Sequence, residues 1–93
     1  MQTSFDDENL KKHGVSRDEV LQVFASDLSF ALELEPSERG NDRAIVLGWT
    51  FGGRLLEIGI EYFDAEDREH VFHGNDAGKD YRDQMERRLK DGD

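Results

Sequence analysis

The segment RAIVLGWTFGGRLLEIGIEYF, residues 43–63, carries the strongest structural signal in this 93-residue chain. Both of its halves carry apolar residues at every second position, which is typical of β-strands. Gly52 and Gly53 stand between the halves and can supply the positive φ angles of a two-residue hairpin turn. The stretch therefore predicts a hairpin of strands 43–51 and 54–63. This turn places the following apolar side chains on one shared face: Ile45, Leu47, Trp49, Phe51, Leu56, Ile58, Ile60 and Tyr62.

A short helix is predicted before the hairpin, at residues 6–13. Acidic residues at 6–8 and basic residues at 11–12 suit its two ends, because a helix is electropositive at its N-terminus and electronegative at its C-terminus. Gly14 suits the left-handed position that ends a helix. With His13 as the C-cap, Val15 is expected to pack back on Leu10.

A second helix follows directly. Ser16 and Glu19 have the spacing of a capping box, in which each side chain bonds the backbone of the other residue. The helix is expected to stop near Asp27. Its predicted buried face carries Val20, Leu21, Phe24 and Ala25.

The remaining segments complete an α+β domain spanning residues 1–93. Residues 28–35 alternate as a strand, and the polar stretch 36–42 connects them to the hairpin. An acidic connection at 64–69 leads to a short strand, His70–His73, which Gly74 is expected to break. Asn75 or Asp76 then caps a last helix with an apolar stripe of Ala77, Tyr81, Met85 and Leu89. The predicted order is ααββββα, with the helices against one face of a four-stranded, mainly antiparallel sheet.

Composition excludes several classes of protein. The chain is 35% hydrophobic and 37% charged, has no cysteine, and carries a formal net charge of −10. Without cysteine there is neither a disulfide framework nor a thiolate metal site. No apolar run is long enough to span a bilayer, and no signal peptide is evident. These features predict a soluble, cytoplasmic protein without membrane association, and the acidity opposes non-specific binding to nucleic acid.

Metal and cofactor sites are not predicted. On a regular strand His70 and His73 point to opposite faces, and the acidic segment 64–69 lacks the register of a calcium loop. The chain has no phosphate-binding glycine motif, so no nucleotide cofactor is expected. Its serines lie at caps, at turns or on a solvated strand face, and none occupies a nucleophile elbow.

Metal-free cleavage of RNA is the chemistry that the remaining residues can perform. Attack by a 2′-hydroxyl needs a base, an acid for the leaving 5′-oxygen, and cations for the developing phosphorane charge. His73 at a strand end is the acid–base candidate, and Arg43, Arg54 and Lys79 are the candidate cations. Each also has a structural interpretation: the arginines can pair with Glu61 or Asp42, His13 can serve the helix ending, and Tyr81 can belong to the core.

Several motifs resemble one known family. Phe5-Asp6 precedes Lys12-His13-Gly14-Val15-Ser16, with Glu19-Val20 and Val23-Phe24 following. Further on come Asn41-Asp42-Arg43 with Gly48, then Gly53-Arg54-Leu55-Leu56, and finally Ala77 and Tyr81. In this order and spacing, over nearly the whole chain, the sequence resembles the BrnT toxins of BrnT–BrnA toxin–antitoxin modules.

The resemblance implies a RelE-like α+β fold and a metal-independent ribonuclease that inhibits translation. It also implies a BrnA-like antitoxin partner with a ribbon-helix-helix domain, RNA as substrate, no direct DNA binding by this chain alone, and a homo- or hetero-oligomer. Arg43 and His13 carry over from the family pattern by position.

The chain departs from the family pattern after its last predicted strand. Family members typically have basic residues where this chain has Asn75 and Asp76. The alternative to an active toxin is therefore a diverged, nuclease-inactive domain that binds a partner protein. A free-standing acidic accessory protein is the third hypothesis.

Overall fold

The chain forms one mixed β-sheet with helices packed on it. The computed structural model describes residues 2–91. In chain order, their elements are β1 (Gln2–Phe5), α1 (Asp7–Lys12), α2 (Arg17–Ala25), β2 (Phe30–Leu34), β3 (Arg43–Trp49), β4 (Leu55–Phe63), β5 (Arg68–Asp76) and α3 (Lys79–Asp91). A short 3-10 turn, Asp64–Glu66, joins β4 to β5. The predicted α+β class is confirmed.

The sheet has five strands rather than the four predicted, in the order β1-β5-β4-β3-β2. The additional strand, β1, pairs in parallel with β5, with Gln2 opposite Arg68 and Phe5 opposite Val71. The other three pairings are antiparallel. The sequence around β1 is mostly polar and its partner lies 66 residues away, so no local pattern marks it as a strand. β2 is shorter than the predicted segment 28–35.

The central hairpin is confirmed, but its predicted register is wrong by one residue. Trp49 pairs with Leu55, and Thr50 N–H donates to Arg54 O at 2.9 Å, which leaves a three-residue loop. Within this loop Gly53 has φ +85°, as the left-handed position of such a turn requires. A slip of one residue reverses the face of every side chain on one strand. Ile45 and Leu47 therefore share a face with Leu55, while Ile58 and Ile60 face the other way.

This register buries both faces of the sheet, so the prediction of helices on one face is wrong. On the α1/α2 face, Leu10, Val20 and Val23 pack with Ile58 and other residues of β3–β5. On the α3 face, Ala77 and Met85 pack with apolar residues of β3 and β4, and Phe30, Trp49 and Tyr81 are partly buried against this cluster. Of the predicted stripe on the last helix, Met85 is buried and Tyr81 is partly buried, but Leu89 is 46% exposed and the buried Ala77 lies before α3.

The predicted end of the last strand is also wrong, because β5 continues through Gly74 to Asp76 and α3 begins at Lys79. A Cβ at position 74 would lie 2.5 Å from Leu10 Cδ2. Gly74 is therefore required by the close approach of α1 rather than by a chain break. An irregularity in the pairing interrupts the register between Gly59 and Ile60, which pair with His73 and Val71. Phe72 is thus the extra residue of a β-bulge.

Both predicted helix boundaries in the N-terminal region are confirmed. His13 is the C-cap of α1, Gly14 has φ +67°, and Val15 N–H donates to Leu10 O at 2.9 Å. Ser16 and Glu19 form the capping box of α2. The predicted buried face of α2 is wrong at two positions, because Leu21 and Ala25 are exposed.

Candidate functional site

The bulge in β5 determines where the candidate acid–base residue lies. In a regular strand His70 and His73 would point to opposite faces, as predicted. Here Phe72 adds one residue to the strand, so His70 pairs with Glu61 and His73 pairs with Gly59. These two β4 residues are two apart and share a face, and both histidines therefore lie on the α3 face. His70 is held there by Ser4, whose Oγ lies 2.7 Å from His70 Nδ1.

His73 is oriented by Glu57, a residue that the sequence analysis missed. His73 Nε2 lies 3.1 Å from Glu57 Oε2, and the two side chains are 26% and 18% exposed. An ionised carboxylate only accepts hydrogen bonds, so the imidazole donates from Nε2. In the neutral ring Nδ1 then carries the lone pair that can accept a proton. The other carboxylate oxygen of Glu57 accepts the Gly78 N–H at 2.8 Å and so ties the site to the start of α3.

His13 completes a pair of imidazoles at the edge of β5. Its ring centroid lies 5.7 Å from that of His73, and the rings meet edge to face at 69°. Beyond Phe5 the strand β1 has ended, and α1 lies along the free edge of β5, where Asn9 Oδ1 accepts the Gly74 N–H at 3.1 Å. The ending of α1 at His13 therefore carries an imidazole to the sheet edge. His13 has a structural role, as predicted, and it also adjoins His73.

Arg54, one of the predicted catalytic cations, forms hydrogen bonds that stabilise the fold. Its Nε donates to Asp76 at 2.6 Å, and its terminal nitrogens donate to Gly14 O at 2.7 Å and His13 O at 3.1 Å. A weaker contact of 3.4 Å joins it to Glu19. The Arg54 guanidinium lowers the pKa of the Asp76 carboxyl, chiefly through their hydrogen bond. Arg54 thus holds the backbone at His13 from the α1/α2 face and does not share the α3 face with His73.

Arg43 and Lys79, the other predicted cations, lie on opposite sides of His73. Arg43 pairs with Glu61 in the sheet, two positions along β4 from the partner of His73. From ordinary strand spacings, its Cα lies roughly 12 Å from that of His73. Its guanidinium donates to Glu35 O at 2.8 Å and lies 5.9 Å from the centre of the Phe72 ring. Within residues 2–91, the Arg43 side chain forms no ion pair with Glu61 or Asp42, so that structural interpretation is wrong.

Lys79 lies close to Glu57 but points into solvent. Both residues line a hollow of about 500 Å³ at the start of α3, together with Gly78 and Tyr81. The Lys79 side chain is 87% exposed, and its Nζ lies 3.3 Å from Asp83. The structure thus brings His73 together with Glu57 and His13. Arg43 and Lys79 lie farther out on either side of His73, and Arg54 is not part of this site.

A second carboxylate on the α3 face is neutralised within the fold. Glu61 is buried, accepts two bonds from Arg39 at 2.7 and 3.1 Å, and accepts one from Asn41 at 2.9 Å. The Arg39 hydrogen bonds, with those of Asn41 and Ser37, lower the pKa of Glu61 to about 2 against the opposing effect of burial. The ion pair therefore neutralises the Glu61 carboxylate on the side of the sheet where Arg43 lies.

Glu57 could have been found from the sequence only with the correct register. It is the one acidic residue in the apolar run LLEIGI, residues 55–60, and an acid in such a run needs a partner. The predicted hairpin placed Glu57 on the face opposite Ile58, but it did not show which residue of β5 would contact the Glu57 side chain. Phe72 was missed for the same reason, because nothing local marks a bulge.

Comparison with known proteins does not assign this chain to a family. The chain matches no protein-family model, and no curated protein matches it significantly. Among residues 2–91, no three histidine, cysteine or acidic side chains are grouped so that they could hold a metal ion. None of the helices in that range is long and apolar enough to cross a membrane.

Proposed function

We propose that this chain is a BrnT-like toxin domain that cleaves RNA without a metal ion and so inhibits translation. The observation that carries the proposal is the imidazole pair of His13 and His73, with Glu57 bonded to His73. At a centroid separation of 5.7 Å, the two rings can flank one phosphodiester, so that the adjacent 2′-hydroxyl donates to one ring and the 5′-oxygen accepts from the other.

The proposed reaction divides two proton transfers between the rings. His73 Nδ1 takes the proton of the 2′-hydroxyl, and the 2′-oxygen then attacks phosphorus. The bond from phosphorus to the 5′-oxygen breaks, and protonated His13 gives its proton to that oxygen. The products are a 2′,3′-cyclic phosphate and a free 5′-hydroxyl, so no water, metal or redox partner is consumed.

The site has few cationic groups that could stabilise the negative charge developing on the phosphorane. Arg54 is hydrogen-bonded to two backbone carbonyls and to Asp76. Asn75, which pairs with Glu57 in the sheet, carries no charge. Removing one preorganised donor to a developing oxyanion costs about 10²- to 10³-fold in rate. We therefore expect slow turnover, and we expect Asn75→Arg to accelerate it.

The test is cleavage of a fluorescent RNA in EDTA by wild type and matched histidine variants. His73→Gln and His13→Gln should each lower the rate at least about 100-fold. His70→Gln is the control, because His70 lies on the same strand and face, and within residues 2–91 its side chain bonds only Ser4. A 2′-deoxy substitution at the cleaved position should block the reaction. Equal cleavage by wild type and both site variants, or no cleavage by wild type, would overturn the enzymatic proposal.

The second candidate function, a nuclease-inactive module that binds a partner protein, is favoured by a different observation. Phe51 is 82% exposed and Leu28 is 58% exposed. Both lie at one end of the sheet, where Phe51 N–H donates to Gln22 of α2 and Leu28 follows α2 directly. Under either candidate, we propose a BrnA-like ribbon-helix-helix antitoxin as the partner.

Co-expression with the protein that the adjacent gene encodes, which this proposal expects to be a ribbon-helix-helix antitoxin, tests this module. If this end of the sheet binds the partner, Phe51→Ser and Leu28→Ser should abolish co-purification. Leu89→Ser is the control, since Leu89 is a similarly exposed leucine on α3. Co-purification without any effect of the wild-type chain on translation supports the module over the enzyme.

A further inference from the structure

The β5 bulge places the Phe72 ring on the same face of the sheet as His73, its neighbour in the chain. Because Phe72 is the extra residue, it and His73 both project from the α3 face instead of alternating. A Cβ built on Gly59 would lie 2.7 Å from Phe72 Cζ, so the ring rests on the backbone of that glycine. The half-buried ring is thereby held against the sheet by a residue that offers no side chain.

An open hollow adjoins the Phe72 ring. It has a volume of about 510 Å³ and is lined by Phe72, Arg43, Pro36, Arg39 and Glu61, with Glu38 beside Arg39. This volume falls within the range of about 300–1,000 Å³ that is usual for small-molecule sites.

The hollow offers the chemistry that recognises a nucleobase. An aromatic ring and an arginine guanidinium both stack on bases, and each such contact tolerates any base because every base has a π-face. Arg43 uses only Nε, toward Glu35 O, and its two terminal nitrogens have no hydrogen-bond partner within residues 2–91. Those nitrogens can donate to acceptors on a base or sugar. Since Glu61 is paired with Arg39, its carboxylate does not oppose a ligand there.

We propose that this hollow binds the base of the nucleotide next to the scissile phosphate, stacked on Phe72 and bonded by Arg43. This inference rests on the proposed ribonuclease function, because His73 then defines where the scissile phosphate lies. Phe72 and Arg43 are positioning residues in this scheme: they hold the substrate and transfer no proton.

The test separates base binding from cleavage by using ligands that cannot be cleaved. Dinucleotides methylated at the 2′-oxygen are titrated into the full chain, and affinity and the Phe72 ring proton resonances are followed. Wild type should show upfield shifts of the Phe72 ring protons. Phe72→Leu and Arg43→Gln should weaken binding at least about fivefold. Phe24→Leu and Arg87→Gln are the controls, because Phe24 is a half-buried phenylalanine on the α1/α2 face and Arg87 is an exposed arginine on α3.

His73→Gln distinguishes failure of this inference from failure of the proposed function. Binding that persists in His73→Gln with unchanged Phe72 shifts supports the base site. The same binding in a wild-type chain that cleaves no RNA also supports the base site, while overturning the nuclease. Cleavage by wild type without ligand-induced shifts at Phe72, or unchanged affinity in both Phe72→Leu and Arg43→Gln, overturns the base site and leaves the nuclease standing.

Discussion

Replacing Arg54 with alanine tests whether this arginine serves the fold or the chemistry. Its two bonds to the carbonyls of His13 and Gly14 satisfy acceptors at the C-terminal end of α1, where a positive charge is also favoured. Each such bond contributes about 1 kcal/mol. The Asp76 ion pair adds about 0.5 kcal/mol, since the Asp76 side chain is 61% exposed and solvent screens it. Arg54→Ala should therefore lower the free energy of unfolding by about 2–3 kcal/mol.

Thermal and denaturant unfolding measure this loss directly. For a domain of this size, 2–3 kcal/mol corresponds to a fall in Tm of roughly 10–20 °C. Arg54→Lys keeps the charge but cannot reach three acceptors, so it should lose about 1–2 kcal/mol. Asp76→Asn removes only the exposed pair and should lose about 0.5 kcal/mol. A Tm of Arg54→Ala within about 2 °C of wild type, accompanied by loss of RNA cleavage, would refute the structural role and return Arg54 to the active site.

Three further predictions concern the fold. The pKa of Glu61, about 2, lies below its ordinary 4.5, so its stabilisation is complete above pH 4.5 and is lost as the pH falls toward 2. The shift alone corresponds to about 3 kcal/mol, which we reduce to about 1–2 kcal/mol because its arginine partner is 66% exposed. Urea melts of wild type and Glu61→Gln between pH 7 and 2.5 should converge by that amount, and parallel curves would contradict it. Gly74→Ala should cost about 1–3 kcal/mol in the same assay, since its methyl group meets the buried Leu10, while Gly52→Ala in the open turn serves as the control. Ser16→Ala should cost about 1 kcal/mol and Ser16→Asp much less, because aspartate also caps a helix; equal losses would argue against the cap.

Features that depend on neighbours a few residues apart could be predicted from the local sequence. The capping box at Ser16, the left-handed ending of α1 at Gly14 and the existence of the 43–63 hairpin all follow from local backbone chemistry. The apolar spacing of Tyr81 and Met85 on α3 likewise follows from the helical period. These features were predicted correctly because each is stabilised mainly by groups within one or two turns of the chain.

Features that depend on how distant segments of the chain meet are visible only in the folded protein. The hairpin loop has three residues instead of two. This one-residue shift in register moves the side chains of one strand to the opposite face, so apolar residues are buried on both faces of the sheet. The bulge at Phe72 placed His70 and His73 on one face, against the expectation from strand alternation. The pairing of β1 with β5 joins residues far apart in the chain, and no local signal marks it.

The candidate site likewise combines a residue that could be predicted from the sequence with residues that only the fold brings to it. His73 could be singled out from the sequence because imidazole is suited to proton transfer near neutral pH. Its partners Glu57 and His13 come from β4 and from the end of α1, and only the folded sheet edge brings them together. Arg54 shows the converse: its residue type predicted a catalytic cation, but the carbonyls ending α1 lie within reach of its guanidinium. Residue type determines what a side chain can do, whereas the acceptors that the fold places around it determine what it does.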